Sequence, residues 1–195
     1  CIDRTGTNAI AIDHIPIPDV SVKEGFSCIP MWVADMNFAT APTIPRALVE
    51  RAQHPLYGYS DLPKEYFDHI IYWLTTRHNH IDLTRETIGY ENGVLGGLAS
   101  AMSVLCSRGD TVLVHSPTYV GFTRVLKNNG YHIAYSPLIQ DETGVWRMDY
   151  EDMARQIKEY NIQAAIFCSP HNPTGRVWER EEIERAFEAY RDHDV

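Results

Sequence analysis

With 195 residues, 44% of them hydrophobic, the chain can bury a core of its own. The formal net charge of -9 comes with lysines and arginines scattered rather than striped, which argues against nucleic acid or an anionic membrane surface as partner. No apolar run approaches the roughly 18 residues of a membrane span and the first residues lack the basic-then-apolar pattern of a secretory signal, so a soluble, cytoplasmic protein acting on a small molecule is expected.

Residues 1–30 hold Pro16, Pro18 and Gly25 and little periodicity, and read as an irregular arm. Ile29 to Phe38 (IPMWVADMNF) is an extended apolar segment in which Trp32 and Phe38 read as core anchors. Pro42-Thr43-Ile44-Pro45 opens a helix through about Gln53, since proline is tolerated in a first turn. Tyr57-Gly58-Tyr59-Ser60 is a tight turn between two amphipathic rings. Asp61 to Arg77 is a helix, with apolar residues at 66, 67, 70, 71, 73 and 74 forming one face. His78 and His80 have no third ligand nearby and read as solvated histidines. The four cysteines, Cys1, Cys28, Cys106 and Cys168, likewise show no metal-ligand spacing and are expected to be reduced thiols.

Thr87 to Tyr90 reads as a short strand, after which Gly93-Val94-Leu95-Gly96-Gly97 opens a helix to about Cys106. Glycines at such a junction let backbone N–H groups approach an anion, and the helix start adds partial positive charge. The pattern is neither Gly-x-Gly-x-x-Gly nor a P-loop, so nucleotide sites gain no specific support. Thr111 to His115 is a fully apolar strand of the parallel-sheet kind and delivers Ser116-Pro117-Thr118-Tyr119 at its carboxyl end. Beyond it come a helix from Val120 to Asn129, a strand from Tyr131 to Ser136, a polar turn at Asp141 to Gly144 and a helix capped by Asp149 and running through Tyr160.

A second apolar strand, Ala165-Ile166-Phe167, runs into Ser169-Pro170-His171-Asn172-Pro173-Thr174-Gly175. Pro173 restricts Asn172 to extended angles and holds its amide in place as a donor to a phenolate-like oxygen. Glu179 to Asp192 closes the chain as a charged helix with Ile183, Ala186, Phe187 and Tyr190 facing inward. Strands alternating with helices of ten to fifteen residues predict an α/β fold, a three-layer αβα arrangement with a mostly parallel sheet and right-handed crossovers. Ligands of such sheets sit beyond the carboxyl ends of the strands, where both Ser-Pro turns fall.

Together, the Asn172-Pro173-Thr174-Gly175 turn, Tyr119, the Gly93 junction and Pro30-Met31-Trp32-Val33-Ala34-Asp35-Met36 resemble the class I/II aminotransferase superfamily of pyridoxal-phosphate enzymes (fold type I), and within it the MalY/PatB-type cystathionine β-lyase and cystalysin-like C–S lyases. The resemblance implies backbone donors to the cofactor phosphate at Gly93, Val94 and Leu95, a ring stacked by Tyr119, and a ring oxygen met by Asn172. It further implies a homodimer in which Tyr59 lends its hydroxyl to the neighbouring subunit's phosphate, and a substrate carboxylate met by the Ala34 backbone. Residues 1–40 are then an arm and small-domain segment at the dimer contact, and 41–195 an incomplete cofactor-binding large domain. Asn37 stands where that branch usually has aspartate, which removes a charge without touching the backbone contact at Ala34.

The chemistry also needs a lysine for the Schiff base. Lys23, Lys64, Lys127 and Lys158 lie in an arm, at a helix start, at a helix end and on an exposed helix face, none in a suitable turn. The expectation is therefore an amino-terminal half, with no catalytic residue in this chain and the lysine beyond Val195. The function expected is a C–S β-lyase that cleaves L-cysteine conjugates to thiol, pyruvate and ammonia. An aminotransferase on the same scaffold is the first alternative, and a non-catalytic binding module the second.

Overall fold

The computed structural model describes residues 1–14, 16, 23–26 and 29–195, so Pro18 and Cys28 lie outside the described residues. The chain divides into two compact units, Cys1–Pro63 and Lys64–Val195.

The second unit is built on β1 (Thr111–Ser116). β2 (His132–Pro137) pairs with one edge of it and β5 (Ala164–Ile166) with the other, both parallel, giving the order β2-β1-β5. Side chains alternate across a strand, and those of β1 divide accordingly. Leu113 packs with Met153 and Ile157 of α6 (Tyr150–Glu159) and Ala186 of α7 (Arg180–Arg191). Val112 and Val114 face the other way, onto Met102 of α4 (Val94–Leu105) and Leu126 of α5 (Val120–Asn128). All three β1 residues are at most 1% exposed, so the strand is covered on both faces. Helix, sheet, helix is the three-layer arrangement expected from the sequence.

The elements end where local chemistry stops them. Asp149 accepts the Asp152 amide at 3.0 Å and caps α6. Glu179 and Glu182 form a reciprocal capping box at the start of α7. Between β2 and α6, Asp141 Oδ1 accepts the amides of Thr143 (2.9 Å) and Val145 (3.0 Å) and holds a small hairpin of β3 (Ile139–Gln140) and β4 (Trp146–Arg147). Sequence reading found the turn but not these short strands.

Three other expectations change. Thr87 to Tyr90 is not a strand: Thr84 and Thr87 bond reciprocally around a single 3₁₀ turn, Arg85–Thr87, and no strand among the described residues pairs with Ile88 to Tyr90. A strand needs a partner for its backbone groups, and a capped turn supplies its own. Phe187 is 55% exposed and meets Phe167 and Tyr190 in edge-to-face contacts at the margin of the core. Trp32 and Phe38 are exposed, not core anchors.

Among its described residues, the arm of the first unit is not wholly irregular. It carries a short helix, α1 (Ile10–Asp13), and α2 spans Thr43–Ala52. Arg4 pairs with Asp35 at 2.6 Å and the Ile2 amide donates to the Asn37 carbonyl at 2.6 Å, so the first residues tie down the Val33 to Asn37 segment. The guanidinium of Arg4 lowers the Asp35 carboxyl below its ordinary range. α3 (Lys64–His78) opens the second unit and buries Phe67.

Because Leu113 sits at 0% exposure between β1 and α6, truncating it leaves a hole that neither layer can close. Leu113→Ala, in the protein expressed from its whole coding sequence, is expected to cost about 2–5 kcal/mol in chemical denaturation. A loss under about 0.5 kcal/mol, the size typical of surface changes, would show that β1 is not the core.

Candidate functional site

Three loops at one end of the second unit surround a hollow of about 570 Å³. The first is the start of α4. Gly93 adopts φ +81°, a left-handed conformation that suits glycine, and turns the chain into the helix. Its amide donates to the Glu91 carbonyl at 2.9 Å, so Gly93 supplies the turn and is already engaged as a donor. The Gly97 amide is the first to reach back into the helix, to the Gly93 carbonyl at 3.0 Å. The Val94 and Leu95 amides therefore have no intrahelical acceptor, and they carry the positive end of the helix dipole to the rim of the hollow.

The second loop leaves β1. Ser116-Pro117-Thr118 carries the chain off the sheet, and Tyr119 stands as the N-cap of α5 with its ring 38% exposed. Phe122, one turn further along, meets that ring edge-on, with centroids 5.3 Å apart and planes at 88°. Edge-to-face contact fixes the orientation of the tyrosine ring without covering both of its faces.

The third loop leaves β5. The His171 amide donates to the Arg176 carbonyl at 2.8 Å and the Gly175 amide to the His171 carbonyl at 2.7 Å, closing Asn172 to Gly175 into a compact turn. Inside it, His171 Nδ1 and Thr174 Oγ1 share a hydrogen bond of 2.9 Å. Trp178 is 4% exposed and donates from Nε1 to the Cys168 carbonyl at 2.9 Å, which pins the base of the turn. The base is also clamped electrostatically, because Glu182 of α7 accepts from both Arg147 (2.9 Å) and Arg176 (2.5 Å). Asn172 projects from this frame, exposed, and lines the hollow beside Tyr119 and Gly93 to Leu95.

The structure thus brings together five of the residues singled out in the sequence, Gly93, Val94, Leu95, Tyr119 and Asn172. Ala34 and Tyr59 belong to the first unit, where both are exposed. The hollow is also lined by Asn92, Phe122, Cys168 and Pro170, which sequence reading did not select. Phe122 could have been found from its spacing, since residues three apart share a helix face. No lysine of Lys64–Val195 lines it.

Beneath the two Ser-Pro loops lies a polar cluster that the sequence did not announce. His115 on β1 is 3% exposed and shares a 3.3 Å hydrogen bond between Nε2 and the Tyr190 hydroxyl of α7. Its Nδ1 has no partner among the described residues. Burial, aided by the nearby His171, lowers the His115 pKa to about 4. Burial also lowers that of His171, which is 2% exposed, and pushes Tyr190 out of its ordinary range to a higher value.

An α/β domain whose strand-end loops gather a helix amino terminus, a tyrosine ring and a carboxamide around one hollow has the donor chemistry that suits a small phosphorylated ligand. The chain belongs to the aminotransferase class I and II family, whose model matches residues 30–195. Among curated relatives, cystathionine β-lyase PatB of Bacillus subtilis is 34% identical over 167 residues, which is 86% of this chain and 43% of PatB. Among solved structures, the PLP-bound C–S lyase of Staphylococcus hominis matches with a TM-score of 0.83 and 32% identity, and cystalysin of Treponema denticola, containing pyridoxal 5'-phosphate, with 0.85 and 27%. Both matches cover 100% of this chain and 48% of the other. The chain therefore spans less than half the length of the relatives it matches.

Protonation of His115 should be visible in stability. The folded protein holds the ring neutral to about pH 4, while the unfolded chain binds a proton from about 6.5, so the unfolded state gains protons first as pH falls. Stability contributed by the neutral ring is present above pH 6.5 and is lost between 6.5 and 4, by about 3 kcal/mol at roughly 1.4 kcal/mol per pKa unit. The difference in melting temperature between pH 7 and pH 4.5 should accordingly shrink in His115→Asn; an unaltered difference would show that this ring is not the sensitive group.

Proposed function

We propose that the protein binds pyridoxal phosphate in this hollow and, with uptake of one water, cleaves the carbon–sulfur bond of an L-cysteine conjugate such as cystathionine, giving a thiol, pyruvate and ammonia. The observation that carries the reading is the common lining of Val94, Leu95, Tyr119 and Asn172. The donor set fits the group. A phosphate matches the free amides at the start of α4, an aromatic ring matches the face of Tyr119, and a ring oxygen matches the carboxamide of Asn172. Bound there, the cofactor would supply an electron sink for the substrate α-carbon.

The chain's own residues bind and orient. Val94 and Leu95 hold the phosphate with fixed dipoles, Tyr119 and Phe122 exclude water from one side, and the closed turn around Asn172 fixes the direction of its donor. With no lysine of Lys64–Val195 at the hollow, proton transfer at the α-carbon is assigned to none of these residues. The proposal includes a homodimer in which Tyr59 reaches the phosphate site of the other copy, which its full exposure supports. Ala34 is assigned to the substrate carboxylate, residues 1–40 to an arm and small-domain segment, and 41–195 to the large domain. A cytoplasmic location agrees with the free thiols of Cys106 and Cys168.

The lyase reading is favoured over amino transfer by the Pro-Met-Trp-Val-Ala-Asp-Met segment and by the names of the relatives above. Amino transfer remains the second reading because the family description itself names it. The protein expressed from its whole coding sequence should release pyruvate from cystathionine faster than it transfers an amino group to 2-oxoglutarate. Transfer without elimination would overturn the preference, and neither activity together with no bound cofactor would leave a binding module. Asn172→Ala should weaken cofactor retention about 10-fold, the loss of one hydrogen bond to a charged oxygen; fluorescence titration of cofactor into the stripped enzyme reads it, and unchanged retention removes Asn172 from the site.

A further inference from the structure

The tyrosine that lines the hollow owes its place to a residue that never touches it from within the site. Gly121, in the first turn of α5, is buried directly behind the ring of Tyr119. A Cβ built on Gly121 would stand 2.3 Å from Cε1 and 2.7 Å from Cζ of that ring, and 3.0 Å from Cδ1 of Leu95. Real carbon atoms do not approach so closely, so the ring can lie where it does only because position 121 has no side chain.

No backbone reason requires this glycine. Gly121 is not among the positive-φ glycines, and it lies in a helix, where alanine is favoured by roughly 1 kcal/mol. The two flanking groups are those the site uses. Tyr119 lines the hollow, and Leu95 belongs to the helix start that lines it too.

We infer that Gly121 is a positioning residue, which sets the depth and tilt of the Tyr119 ring and so determines how tightly the hollow holds a flat heteroaromatic ligand. The inference rests on the proposed cofactor site and adds a residue to it. A methyl group at 121 would meet the far end of a side chain, not backbone, so the yielding element is the ring. The fold should survive the change, and the ligand should register it.

The test is a double-mutant cycle in the protein expressed from its whole coding sequence, reading pyridoxal phosphate affinity, the visible circular dichroism of the bound cofactor and the melting temperature of the stripped protein. Tyr119→Ala alone tests the underlying site and should weaken affinity about 10-fold, the upper range for one aromatic contact. Gly121→Ala alone should weaken affinity several-fold toward that value and change the circular dichroism, with the melting temperature of the stripped protein held or raised. In the Tyr119→Ala background, Gly121→Ala should add no further loss.

Equal losses from Gly121→Ala in both backgrounds would overturn the inference, because the residue would then act through packing alone. Wild-type affinity and dichroism in Gly121→Ala, with Tyr119→Ala impaired, would overturn it and leave the site standing. No effect of Tyr119→Ala would sink the site and the inference together. If Gly121→Ala fails to fold, refolding of the double variant would still assign the conflict to the ring, and failure of both would reject it.

Discussion

The arrangement depends on the burial of β1 on both faces and both edges. A strand covered this way cannot slip by a residue, because the slip would exchange Leu113 with Val112 and Val114 between two differently shaped helical layers. With its register fixed, its carboxyl end is fixed too, and Tyr119 leaves the sheet at a set height. β5 is held against β1 by pairing from Val112↔Ala164 to Val114↔Ile166, so the turn bearing Asn172 starts level with the one bearing Tyr119. Convergence of the two loops is a consequence of sheet register more than of any contact between them.

Below the loops, polar groups hold what the apolar layers cannot. The strand-end loops cannot bury enough surface to order themselves, and their backbone groups must find partners. His171, Thr174, Arg176 and Trp178 supply them for the Asn172 turn, and Glu182 of α7 ties its base to the β3–β4 hairpin through Arg147 and Arg176. The carboxyl of Glu182 is lowered below its ordinary range, with burial opposing and the Glu179 amide and both guanidinium groups favouring the charged form. His115 and Tyr190 then link β1 to α7 through the same layer.

Much of this was legible in sequence because it stems from periodicity and punctuation. The uninterrupted apolar run Val112 to Val114 announced a central parallel strand, the Asp149 cap and the Asn129-Gly130 stop bounded their helices, and the paired Ser-Pro turns pointed to the end of the sheet that carries the hollow. What escaped depends on neighbours far away in the chain. Nothing near Arg4 reveals that Asp35 is its partner, 31 residues on. Thr87 to Tyr90 reads as a strand because Thr87, Ile88 and Tyr90 favour extended backbone, and only the missing edge partner decides. Gly121 gives no local signal, since a glycine inside a helical pattern carries a conformational cost and no visible reason; the reason is the volume of a side chain two positions back.

The neutrality of the hollow is a further consequence of this construction. Its lining residues from Asn92 to Asn172 carry no formal charge, in a chain of net charge -9, yet the ligand proposed for it is anionic. At physiological ionic strength a distant carboxylate is screened over about 8 Å, so the overall charge has little reach into the site. What a phosphate bound there would meet is a pair of unengaged amides at a helix start, aligned before binding and unable to relax away. A lysine in their place would bring a full charge but also a flexible stem whose rotamers must be frozen on binding. Fixed dipoles on a helix anchored through Met102 against β1 avoid that cost, and through them the register of the central strand would reach as far as the strength of the proposed phosphate contact.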